Sequence, residues 1–113
     1  MSKFVAIYHS SAMERMVVED QDPEVIAASA KAWMDWAERM GSHLTDLGAP
    51  LGNPHEVTHM GASEAVEAGS ATGYSFLEAG DMAEVTHLML GHPYLETPGA
   101  TIQVYEVLPV PGM

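Results

Sequence analysis

Short runs of alternating side chains, separated by two stretches of helical spacing, organise this chain. From Lys3 to His9, Phe4, Ala6 and Tyr8 fall on one face and Val5, Ile7 and His9 on the other. Both faces are mostly apolar, which predicts a central strand covered on two sides. Ser10 to Gln21 is polar and irregular and reads as a connector. Asp22-Pro23-Glu24 then supplies a cap, a first-turn proline and a charge suited to the positive end of a helix. Ile26, Ala30, Trp33, Ala37, Met40, Leu44 and Leu47 follow in steps of four and three, predicting one long helix that Gly48 ends. Trp36 and His43 lie on the flank of that stripe. Ala49 to Pro54 is a stiff, proline-kinked lead-in to an edge strand that continues through His55 to Met60. Gly61 to Thr72, small, acidic and without periodicity, reads as a hairpin loop or lid, with a short helical turn as the competing reading.

In a third strand, Gly73 to Ala79, Tyr74 and Phe76 face one side and Ser75, Leu77 and Ala79 the other. Asp81 with Glu84 makes a capping-box-like start for a helix from Met82 to Leu90, which buries Val85, Leu88 and Met89. Gly91, Pro93 and Pro98 stop it. Thr101 to Leu108 alternates again, with Ile102, Val104 and Leu108 on one face and Glu106 intruding among them. The resulting order, βαββαβ, predicts an α+β fold of the ferredoxin-like plan, a four-stranded antiparallel sheet with both helices on one face. The strands are apolar on their other face too, and no segment remains to cover it. A homodimer joined through its sheet faces follows as the expectation.

Composition narrows the classes. A chain of 113 residues without repeats is a single domain, and 47% apolar against 18% charged residues argues against disorder. Four basic and sixteen acidic side chains give a formal net charge of −12, a surface that repels nucleic acid and anionic lipid. There is no cysteine, hence no disulfide, thiol nucleophile or thiolate metal site. No signal peptide or membrane span is read, so a soluble cytoplasmic protein is expected. Phosphate-loop, dinucleotide and serine-elbow fingerprints are absent, and no cofactor is expected.

Several short motifs carry a family resemblance. They are Trp33-x-x-Trp36 on the long helix, Pro50-Leu51-Gly52-Asn53-Pro54 after it, Thr72-Gly73-Tyr74, His92-Pro93-Tyr94-Leu95-Glu96 and Val104-Tyr105-Glu106-Val107. With this layout the chain resembles the YCII-related (DGPF-type) family over nearly its whole length. The resemblance implies a dimeric α+β barrel of ferredoxin-like halves, with a cleft between the long helix and the sheet. Some members resemble small lyases or isomerases that use a His–Asp pair, and others accompany regulators of transcription. This chain departs from the pattern. It lacks the DGPF signature, has tryptophans where such relatives carry a helical histidine, and has His92 where they carry an acid. The pair, if kept, is exchanged, with Asp35 on the helix and His92 on the loop.

On chemistry alone the candidate constellation is His92, Asp35 and His9, with Trp33, Trp36, Tyr74 and Tyr94 as ligand-binding walls. A neutral imidazole accepts protons near pH 7, and a carboxylate would hold its tautomer. His92 as a plain cap on the preceding helix is the bland alternative. His55 and His59 lack a third metal ligand, and the nine methionines read as core filler. Three functions therefore stand open: a domain binding a small organic ligand in the cleft, a cofactor-free lyase or isomerase, or an accessory module of a transcriptional regulator.

Overall fold

The computed structural model describes residues 1–10, 23–65, 71–96 and 99–112. Strand β1 (Ser2–His9) is followed by helix α1 (Pro23–Met40), a 3-10 turn (Gly41–His43) and β2 (Leu44–Pro50). Next come β3 (His55–Thr58), β4 (Gly61–Glu64), β5 (Ala71–Ala79), α2 (Met82–Met89), a 3-10 turn (Pro93–Glu96) and β6 (Thr101–Glu106). Four strands form one antiparallel sheet in the order β2-β5-β1-β6. β3 and β4 pair only with each other, as a separate hairpin.

The register decides the two faces of the sheet. Phe4 lies opposite Leu77, Ala6 opposite Ser75 and Tyr8 opposite Gly73. All six are buried, and Trp36 and Met40 of α1 and Val85 and Met89 of α2 complete this core. Both helices thus cover the same face. The other face presents Val5 and Ile7 of β1 and Tyr74 of β5, all half-buried, with Phe76 39% and Tyr105 52% exposed. The alternation expected for β1 and β5 is what the burial pattern gives. Helix α2 is capped as expected: Asp81 Oδ1 accepts from the Glu84 amide at 2.8 Å, and Glu84 Oε1 accepts from the Gly80 amide at 2.9 Å.

Several expectations need correction, among them the edge strand at His55–Met60, whose place in the four-stranded sheet is taken by β2 (Leu44–Pro50). The long helix stops at Met40 rather than at Gly48, because Gly41 takes a left-handed φ of +54° and the chain is extended from Leu44. The hydrophobic spacing ran on through Leu44 and Leu47 only because strand β2 happens to continue it. Trp36 is a central core residue, 1% exposed, and not a flank position. At the other end of α1, Val25, Ile26 and Ala30 are exposed, so the apolar stripe is buried only from its middle onward. The segment from Gly61 is not a loop or a helical turn over its first residues, since Gly61–Glu64 pairs with His55–Thr58. The rest of the supposed lid, residues 66–70, lies outside the described residues, as do the cap at position 22 and the connector 11–21. No helix among the described residues is long and apolar enough to cross a membrane.

Candidate functional site

His92 sits just past α2 and is 2% exposed, enclosed by rings from three elements. Trp36 lies 4.2 Å from it between ring centroids, Trp33 4.4 Å with the planes at 84°, and Tyr8 5.1 Å. Tyr94, two residues on, closes the nest at 5.2 Å from Tyr8 and 6.2 Å from Trp33. The contacts of Trp33 with His92 and with Tyr94 are edge-to-face, which brings positive ring edges to negative ring faces, and the others are tilted. Helical spacing sets Trp33 and Trp36 one turn apart on one side of α1, and the Gly91-His92-Pro93 corner returns the chain beneath them.

Two hydroxyl relays hold the nest to the sheet. Ser75 Oγ donates to the Leu47 carbonyl at 2.6 Å, so its only proton is used. The Tyr8 hydroxyl, 2.7 Å from Ser75 Oγ, is therefore the donor in that contact. Burial pushes the Tyr8 phenol up to about 12, so the phenol stays protonated near neutral pH. By the same argument Thr72 donates to the Tyr8 carbonyl at 3.2 Å, and the Tyr94 hydroxyl donates to Thr72 Oγ1 at 2.6 Å. Replacing Ser75 by alanine is expected to leave both the Tyr8 hydroxyl and the Leu47 carbonyl unpaired. The cost should be about 2 kcal/mol in urea unfolding. Tyr8→Phe, which keeps the Ser75–Leu47 bond, should cost about half as much, and equal losses would contradict the relay.

The His92 tautomer follows from its bonds. Nδ1 accepts from the Tyr94 amide at 2.9 Å, which places the proton of the neutral ring on Nε2. That Nε2 is buried and has no hydrogen-bond partner among the described residues; the same is true of Trp36 Nε1. Burial, and secondarily the Arg39 guanidinium, lower the His92 pKa to about 4, so the ring is neutral at pH 7. The site thus holds two buried N–H donors without acceptors, in a ring-lined enclosure. As a cap, His92 serves the 3-10 turn that follows it through Nδ1. It joins the preceding helix only through its backbone amide, which donates to Met89 O at 3.1 Å.

Of the residues expected to form a site, His92, Trp33, Trp36 and Tyr94 come together. Asp35 does not join them. Its carboxylate is 2.9 Å from Lys31 Nζ on the exposed side of α1, and it makes no hydrogen bond to His92. The exchanged His–Asp pair is therefore not formed. His9 follows Tyr8 on β1, where strand alternation turns it toward the opposite face. Tyr74 also belongs to that opposite face, in edge contact with Phe76 at 5.7 Å. Tyr8, Ser75 and Thr72 were missing from the expected set. A serine in the middle of an otherwise apolar inward row, Gly73, Ser75, Leu77 and Ala79, was the available signal. Among the described residues no group of three or more His, Asp or Glu side chains is placed to hold a metal ion. The chain matches no protein-family model and no curated protein.

Proposed function

We propose that this protein is a ligand-binding domain, the ferredoxin-like half of a homodimeric α+β barrel of the YCII-related kind. Its ligand is a small organic molecule carrying an acceptor oxygen, a carboxylate or a ketone. The strand order β2-β5-β1-β6, with both helices on one face, supports the ferredoxin-like plan, and the uncovered apolar face supports the dimer. The observation that carries the binding reading is the pair of buried donors, His92 Nε2–H and Trp36 Nε1–H, that lack acceptors. An unmade buried hydrogen bond costs roughly 1–3 kcal/mol, and an oxygen from outside the chain would recover it. Trp33 and Tyr94, half-buried, form the outer wall through which a ligand enters by side-chain rotation.

Binding is favoured over acid–base catalysis for a geometric reason. The Nδ1 lone pair of His92 is engaged by the Tyr94 amide and its Nε2 carries the proton, so the ring is poised to donate a hydrogen bond and not to take a proton. Among the described residues no carboxylate is bonded to it. A neutral, cysteine-free binding site suits a reducing cytoplasm.

Benzoate and acetophenone, titrated by thermal shift, test the reading. A saturable rise in Tm of a few degrees is expected at about a hundred times Kd. His92→Phe, which keeps the ring and removes the donor, should abolish it. If neither probe nor a wider set of small acids and ketones stabilises the protein, or if His92→Phe responds like the parent, the reading is wrong.

A further inference from the structure

With four basic side chains against sixteen acidic ones, an arginine without a carboxylate partner needs a reason. Arg39 makes no ion pair among the described residues. Asp35 stands four residues before it on α1, which is the favoured order for a helical pair of acid and base. Yet Asp35 pairs backward with Lys31 and leaves the guanidinium unclaimed. The last turn of α1 is a good place for any cation, because it is the negative end of the helix. That accounts for a positive charge at this position but not for where the charge lies.

The guanidinium lies over the Gly91-His92 corner. A carbon built on Gly91 would be 3.8 Å from Arg39 Nη1. The charge is felt at the His92 ring, where it is second to burial in keeping the imidazole neutral. Arg39 is exposed and follows Trp36 by three residues, so it stands at the rim of the enclosure that holds His92 Nε2–H and Trp36 Nε1–H. Two buried neutral donors are thus bordered by a cation with no anion of its own.

We infer that the ligand of this site is a carboxylate anion, its oxygens accepting from the buried Nε2–H and Nε1–H and its charge met by Arg39 at the rim. The inference rests on the binding reading above and narrows it from acceptor oxygens in general to acids. A ketone offers one uncharged oxygen, whereas a carboxylate offers two, with about four lone-pair sites between them. The His92 ring is neutral and donating, so the counter-charge must come from elsewhere, and Arg39 is the cation whose charge reaches it. The net charge of −12 gives the residue a second task. Such a surface repels anions, and a positive potential at the entrance offsets the repulsion locally.

Benzoate and acetophenone are a matched pair, since one carries an anionic oxygen where the other carries a methyl group. Both are titrated by calorimetry into the parent, Arg39→Gln and His92→Phe. In the parent, benzoate is expected to bind roughly tenfold tighter than acetophenone. Arg39→Gln should remove most of that preference and leave the acetophenone affinity within about twofold, and added salt should shrink the preference because the charge is exposed. His92→Phe should abolish binding of both. An arginine that serves only the helix end would alter stability and leave the ratio of the two affinities where it was. Equal affinities in the parent, or a ratio untouched by Arg39→Gln, overturn the anion assignment and leave the binding reading standing. If neither probe binds, nor any other matched acid and ketone, or if His92→Phe binds them like the parent, the binding reading fails and the assignment falls with it.

Discussion

Gly48→Ala is expected to destabilise the fold by on the order of 4 kcal/mol, lowering Tm by roughly 15 °C. Two causes add. Gly48 holds a φ of +82°, where a Cβ meets the following carbonyl at a cost of roughly 1–2 kcal/mol. A Cβ built there would also lie 1.7 Å from the Tyr74 carbonyl oxygen and 2.6 Å from its carbon. Both are backbone atoms of the neighbouring strand, so no side chain can rotate away, and β2 must move. The bulge that needs this glycine slips the register between Asp46 and Ala49, with Asp46 Oδ1 accepting from the Gly48 amide at 2.8 Å. Its consequence reaches the site, since Leu47, beside the glycine, supplies the carbonyl that ends the Tyr8–Ser75 relay. Gly41→Ala is the internal comparison. Its φ is also left-handed, at +54°, but nothing lies within 4 Å of the added carbon, so only the conformational cost of about 1 kcal/mol is expected. Equal losses for the two variants in thermal unfolding would mean that the contact with Tyr74 is not what keeps residue 48 a glycine.

Period and punctuation made the inward rows of β1 and β5 and the capped start of α2 legible before any coordinates. Phe4, Ala6, Tyr8 and Ser75, Leu77, Ala79 alternate cleanly, and Asp81 with Glu84 is a short-range signal that no tertiary contact overrides. The end of α1 was harder, because Gly41 and Gly48 are both plausible stops and spacing alone favoured the later one. Tertiary pairing of β2 with β5 decided otherwise. The hairpin was legible only in its first strand: His55–Thr58 reads as a strand, whereas Gly61–Glu64 is short, small and without periodicity. In the site, His92 and both tryptophans could be chosen for their chemistry. The fate of Asp35 could not, since a helix offers an acid both the solvent side and the sheet side until packing settles its rotation. Trp36, and not Trp33, turned out to be the innermost residue, and Asp35 lies on the exposed side beside Lys31.

The same buried imidazole makes stability depend on pH, with a sign that can be worked out. In the unfolded chain His92 titrates near its ordinary 6.5, whereas in the fold its pKa falls to about 4. Between these values the unfolded state binds the proton that the folded state refuses, so stability rises with pH across that window and is flat for this group outside it. The contribution is fully present above pH 6.5 and is lost as the pH falls through 4. A shift of this size corresponds to about 3 kcal/mol. The physical obstacle is specific: protonation must occur at Nδ1, which would break the bond from the Tyr94 amide, next to the positive Arg39 and away from bulk solvent. His92→Asn keeps a short acceptor for that amide and cannot titrate. The expected result is a difference in unfolding free energy between parent and variant that shrinks by about 3 kcal/mol from pH 7 to pH 4, since carboxylates elsewhere affect both alike. A carboxylate that accepts from Nε2–H should weaken the effect, because both ring forms carry that proton and an anion favours the charged one. A parent–variant difference constant across that interval would mean that the ring is reached by water, and the unpartnered donor that underlies the binding proposal would then already have its acceptor.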